Sequence, residues 1–422
     1  MTAGTDPYLP HRGDDSFRVT HYDLDLDLRG TGNVVGRGRL TVEALTELRT
    51  LTLDLGDLGV DKVAVGGRAA RWRHRGSRVV ITPATPVKAG AVVVVEVRWS
   101  GAPEPQHGPW GEVGWEDLSD GVLVAGQPDG APTWFPCQDV PSSKATYAVQ
   151  VRADSAYAVV AHGRLAMRHQ GGSRTTWVYE TSEPTATYLA TLQVGRYEPF
   201  SLDRRITVWA PPRLHDRARA DLGRQPEMLA AFEDWFGPYP FPTYTAVVTD
   251  DDLEIPLESH AVSVFGANHV DGRGGSERLV AHELAHSWFG NSVGVAAWRH
   301  IWLNEGPACY AEWLWSEEAG VATADELARH WYDRLAHQPK DLLLSDPGPD
   351  RMFDDRVYKR GALAMHAVRR SVGDEAFKAL LHDWTAQHRY GTATTDDWLT
   401  HIGTAADSVR PWVLEEDLPP RW

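Results

Sequence analysis

Near residue 200 the apolar residues of this chain change their spacing, and that change limits the folds open to it. Before it they recur at every second position. His21 to Leu28 reads HYDLDLDL, which gives an extended strand one apolar and one polar face. Leu51 to Leu58, Val60 to Val65, Ala91 to Trp99, Ala145 to Arg152, Ala156 to Val160 and Thr175 to Tyr179 repeat the pattern between turn residues. Beyond Pro211-Pro212 the spacing becomes helical. His215 to Phe236 is the first such run, ended by GPYPFP. Ser276 to Asn291, Gly306 to Glu318, Ala324 to Leu335, Tyr358 to Val372 and Asp374 to Gln387 follow. The pattern predicts a multi-domain α+β protein, with an all-β, sandwich-like domain over residues 1–200 and a mostly α domain over 201–422.

Bulk properties remove several classes of function. The formal net charge is -16, which argues against nucleic acid and anionic membrane as main partners. The basic cluster from Arg68 to Arg78 lies between strand-like runs and reads as an exposed hairpin. Two cysteines, Cys137 and Cys309, are too few for a disulfide framework and are expected to be reduced, buried thiols. The first residues lack a secretory apolar core, and no stretch approaches the 18 apolar residues of a membrane span. The expected location is the cytoplasm.

The chemistry concentrates at residues 282 to 286, HELAH. Residues i and i+4 of a helix share a face, so His282 and His286 can reach one ion. Glu283, one step round the helix, can reach a water on that ion without ligating it. Ser276 suits an N-cap, and Glu277 a first helical turn. The two histidines would equally suit the surface of an amphipathic helix. A third donor favours the metal: Glu305 follows His286 after 18 residues, in WLNEGPACYAE. Two histidines, one carboxylate and an open position form a known catalytic zinc set.

HELAHSWFGN followed by WLNEG resembles the gluzincin aminopeptidases, the aminopeptidase N-like family. HYDLDLDL, PTWFPCQDVPSSKATY (Pro132 to Tyr147), ATYLATLQVGRYE (Ala186 to Glu198) and FGPYPF (Phe236 to Phe241) resemble further family segments, so the likeness covers most of the chain. It resembles the short bacterial members without a C-terminal helical domain. The resemblance implies a thermolysin-like catalytic domain with one Zn²⁺ per chain, held by His282, His286 and Glu305. It further implies Glu283 as general base, and Tyr358, in Tyr358-Lys359-Arg360-Gly361-Ala362, as oxyanion donor. Glu258, 24 residues before His282, falls where the family anchors the substrate amine, although Ile255-Pro256-Leu257 and Ser259 replace the usual Gly-Ala-Met and Asn. Gln127 and Asp129 fall where the family places a second amine contact; the competing reading of Asp129 is a Pro-Asp-Gly turn.

Around these, Glu312 is expected to orient a ligand histidine, Cys309 to be core, His300 to lie on the surface, and Asp250 to Asp252 to form a solvated turn. Trp288 and Trp302 are expected to wall the site, and Pro307 to mark a helix beginning near Glu305. The expected activity is removal of the N-terminal residue from peptides by a monomeric enzyme. A zinc endopeptidase, an epoxide hydrolase-type relative and a catalytically silent peptide-binding protein are the alternatives.

Overall fold

In the computed structural model, which describes residues 6–30 and 32–421, alternation does become strand. In Phe17–Leu28 the buried residues are Phe17 and Val19, then Tyr22, Leu24, Leu26 and Leu28. The parity changes because the register with Val34–Ala44 shifts between Val19 and His21. One extra residue turns every later side chain to the other face.

This strand lies inside an eight-stranded sheet of order Arg164–Gly171, Arg174–Ala186, Lys144–Asp154, Phe17–Leu28, Val34–Ala44, Val92–Gly101, Gly59–Val65, Arg68–Ala69. A five-stranded sheet and a three-stranded sheet join it around one core that holds Trp99, Trp115, Trp134 and Trp177. The basic cluster forms the antiparallel pair Arg71–Arg75 and Arg78–Thr82, with Arg71, Arg73 and Arg75 exposed.

The described chain forms two compact units that interleave in sequence. The first runs to Phe200 and takes up Thr207–His215 and Thr243–Asn268 again; the second holds Ser201–Ile206, Asp216–Pro242 and the residues from His269 onward. One boundary at residue 200 is therefore too simple. Tyr244–Val248 pairs parallel with Val262–Phe265, which pairs antiparallel with Leu257–Ser259. Val247, Val262 and Val264 belong to the β core, so this segment, Glu258 included, goes with the first unit.

Helical spacing becomes helix with revised ends. The run expected across His215 to Phe236 is broken into α1 (His215–Leu222) and α2 (Gln225–Phe236). Gly223 interrupts it, and Pro226, lacking an N–H, is tolerated at the second position of α2. Helix α3 (Glu277–Ala285) is shorter than expected; Ser276 stands at its N-cap but makes no side-chain capping bond. Helix α4 (Trp302–Glu318) begins before Glu305 and holds Pro307 in its interior, giving up the bond that residue 307 would have donated to the carbonyl of Leu303. Then come α5 (Ala324–Leu335), α6 (Asp355–Val372) and α7 (Asp374–Gln387). The short α8 (Thr395–His401) and α9 (Ala406–Leu414) were not anticipated, although Thr394 and Asp397 form a capping box at the start of α8. No described helix is long and apolar enough to cross a membrane.

Candidate active site

Helix α3 brings His282 to its last turn, and His286 keeps helical dihedrals as the C-cap, with its N–H donating to the His282 carbonyl at 3.2 Å. The i, i+4 geometry therefore survives to the helix end. The chain then reverses at Gly290, where φ is +111°. A Cβ there would lie 3.3 Å from His286 Nδ1, so glycine serves both the turn and the ring beside it. Helix α4 supplies Glu305. Its Oε2 lies 3.5 Å from His282 Nε2 and 3.4 Å from His286 Nε2, and the two imidazole centroids are 4.8 Å apart.

The other ring nitrogens are occupied. His282 Nδ1 lies 2.9 Å from Glu312 Oε1, and His286 Nδ1 lies 3.0 Å from the carbonyl oxygen of Phe289. Both partners are acceptors, so each Nδ1 carries the proton and each Nε2 turns a lone pair toward the Glu305 carboxylate. Three buried electron-pair donors then face one another within 4.8 Å, which repels unless a cation lies among them. A proton on His282 Nε2 is one such cation: burial pushes the imidazole down, yet the hydrogen bonds that its charged form gives to Glu305 and Glu312 outweigh this and carry it up to about 9. The centre thus attracts positive charge, and its donor set suits zinc. Burial raises Glu312 as well, but His282, Lys359 and Arg278 hold it down to about 2. It stays a carboxylate that orients the imidazole, as the sequence suggested.

Glu283 is buried, and one of its carboxylate oxygens lies within 4.8 Å of a His286 ring nitrogen. From α6, Tyr358 lays its ring along that of His282, with centroids 6.1 Å apart and planes 23° apart. The two helices that carry Glu305 and Tyr358 touch backbone to backbone. A Cβ on Gly361 would lie 2.7 Å from Gly306 Cα, and one on Gly306 would lie 2.8 Å from Gly361 Cα. The glycines of WLNEG and YKRGA are thus two halves of one helix crossing.

In the first unit, Glu258 sits on the strand Leu257–Ser259, and Gln127 Nε2 donates to its Oε1 at 2.7 Å. Asp129 does something else. Its Oδ2 accepts from Arg12 Nε and Nη2 at 3.0 and 2.9 Å and from Gln106 Nε2 at 2.6 Å, and both ends of the ion pair are buried. The expectation that Asp129 reads a substrate amine is corrected: its carboxylate is committed to Arg12. His300 is likewise not a surface residue. It is buried, with Nδ1 3.0 Å from Thr395 Oγ1, and burial pushes it down to about 4. Trp288 and Trp302 are core rather than wall, their indole N–H groups donating to the Gly237 carbonyl and to Thr395 Oγ1. Cys309 is buried, as expected. Arg278 and Lys359, both close to Glu312, were not singled out from the sequence, although both lie inside the quoted helical runs.

The peptidase M1 N-terminal domain profile matches residues 19–189, and the peptidase family M1 domain profile matches residues 220–415. The crystal structure of an M1 zinc metallopeptidase from Deinococcus radiodurans superposes with a TM-score of 0.90 at 30% identity, covering 100% of this chain and 99% of that one. Leukotriene A-4 hydrolase of Xenopus laevis is 26% identical over 91% of this chain and 68% of its own length. Glutamyl aminopeptidase of Bos taurus is 25% identical over 93% of this chain but only 45% of its own length. The chain belongs to peptidase family M1, carries the N-terminal and peptidase domains of that family in order, and is a zinc metallopeptidase.

Proposed function

We propose that this metallopeptidase is an aminopeptidase that removes the N-terminal residue from peptides. Zinc held by His282, His286 and Glu305 would lower the pKa of a water from about 15.7 toward 7. Glu283 would accept a proton from the attacking water and later pass it to the leaving amine. The Tyr358 hydroxyl donates to the carbonyl oxygen as negative charge develops there. Glu258 receives the substrate ammonium, which fixes the bond cut at one residue from the chain's end. Gln127 bonds one oxygen of that carboxylate through its amide and so helps to orient it.

The observation that most supports an aminopeptidase over an endopeptidase is the Gln127–Glu258 bond at 2.7 Å, because it orients a carboxylate on a half-buried strand. The Deinococcus relative has been crystallised with the peptide Tyr-Ser-Ala, so a tripeptide with a free amine is a suitable first substrate. We further propose that the enzyme works as a monomer and in the cytoplasm; its two buried free thiols are in keeping with the compartment. A panel of aminoacyl-7-amido-coumarins, read with chelator and after zinc is restored, tests the activity. Turnover that survives chelation, or none on any amino acid, would sink it.

A further inference from the structure

Lys359 follows the proposed oxyanion donor and sits on α6 with little access to water: its side chain is 7% exposed. A buried ammonium is costly unless something nearby answers its charge. Three groups do. Nζ lies 3.9 Å from Glu312 Oε2, 3.3 Å from Cys309 Sγ and 4.6 Å over the centroid of the Trp331 ring. Glu312 is the carboxylate whose other oxygen holds His282 Nδ1 at 2.9 Å.

Glu312 has a second cation, Arg278, at 2.8 Å. The Arg278 side chain is 55% exposed, so solvent screens its charge, whereas that of Lys359 acts through the protein interior. Successive helical residues point about 100° apart. Tyr358 therefore meets the ring of His282, while Lys359 meets the carboxylate bonded to the same imidazole. One turn of α6 bears on His282 by two routes. The Gly306–Gly361 contact fixes that turn against α4, the helix that carries Glu305, Cys309 and Glu312.

We infer that Lys359 is a positioning residue of the metal centre, holding Glu312, and through it the His282 imidazole, in register with Tyr358. Its role is that of a point charge, since 3.9 Å is an ion-pair distance and too long for a hydrogen bond. The inference rests on the metallopeptidase reading of the site but not on which peptide bond is cut.

The test is zinc affinity by chelator competition on the purified full-length chain, with kcat and KM measured alongside. Lys359→Met should raise the zinc dissociation constant about tenfold and lower kcat about tenfold, with KM moving less than about twofold. Lys359→Arg keeps the charge and should stay within about threefold of the parent in both. In a Glu312→Gln background the Lys359→Met loss should largely vanish, because the route it acts through is gone. Unchanged zinc affinity and kcat in Lys359→Met would overturn the inference. So would an equal loss in the Glu312→Gln background, or a Lys359→Arg variant with its zinc affinity lowered about tenfold. If the parent cleaves no peptide, the aminopeptidase reading fails, while the zinc measurements still decide the role of Lys359.

Discussion

Gly361→Ala is a one-methyl perturbation aimed at the crossing of α4 and α6. The added Cβ would sit 2.7 Å from Gly306 Cα and 3.4 Å from Gly306 N, so it meets backbone, which cannot rotate away. Relief requires the helices to part by about 1 Å, since carbon contacts are comfortable at about 3.5–4 Å. Overpacking of this kind costs about 1–3 kcal/mol, offset by up to about 1 kcal/mol from the better helix propensity of alanine. A net loss of about 1–2 kcal/mol in a unit near two hundred residues lowers Tm by roughly 2–8 °C. The functional loss should be larger, because the crossing sets Tyr358 against the proposed metal ligand His282, and a misplacement of about 1 Å can cost about 100-fold in rate. Differential scanning calorimetry with and without zinc, together with kcat/KM on one aminoacyl-coumarin, measures both effects. Gly306→Ala strikes the same crossing from the other side, at 2.8 Å from Gly361 Cα, and should reproduce the phenotype. A Gly361→Ala enzyme with parental Tm and kcat/KM would refute the reasoning.

Four further outcomes are expected. Glu283→Gln should bind zinc like the parent, by metal analysis after dialysis, while kcat falls by about two to four orders of magnitude. Tyr358→Phe should lose about 10²–10³ in kcat with KM little changed, and a loss confined to KM would remove the oxyanion role. Asp129→Asn should cost about 3–5 kcal/mol of stability by urea unfolding, because it strips the charge partner from buried Arg12, and should leave the preference for free amines intact. Acid should weaken the fold through His162, which burial drives down to about 4 although the backbone at Thr191 pulls the other way. A histidine whose folded pKa lies below its unfolded value near 6.5 contributes stability above pH 6.5 and loses it as the pH falls toward 4. His162→Asn should therefore flatten the urea midpoint between pH 7 and pH 5, and an unaltered slope would contradict this.

What the chain discloses as sequence follows the range of the forces involved. The proposed metal donors are legible because two of them are tied by one helical repeat, and the third lies in a recognisable string. Glu312 is legible for the same reason, two turns beyond Glu305 on the same helix. Asp129 misleads because its partner, Arg12, lies 117 residues away, and nothing local shows that its carboxylate is already used. His300 misleads because its burial depends on Thr395, 95 residues on. The placement of Glu258 in the first unit is a matter of strand pairing, which a three-residue strand cannot announce by periodicity. The break between α1 and α2 was readable in Gly223 and Pro226, but the apolar spacing on either side masked it.

A zinc site working with a carboxylate that counts from the peptide's free end is the core of the proposed function. Its most direct test is the cleavage of Tyr-Ser-Ala by the zinc-loaded enzyme beside its N-acetylated twin, with products identified by mass. Release of free tyrosine from the first peptide, with the acetylated peptide left whole, is the predicted result. Equal cleavage of both, or an internal cut in the acetylated peptide, would contradict the assignment of Glu258 and leave an endopeptidase in its place.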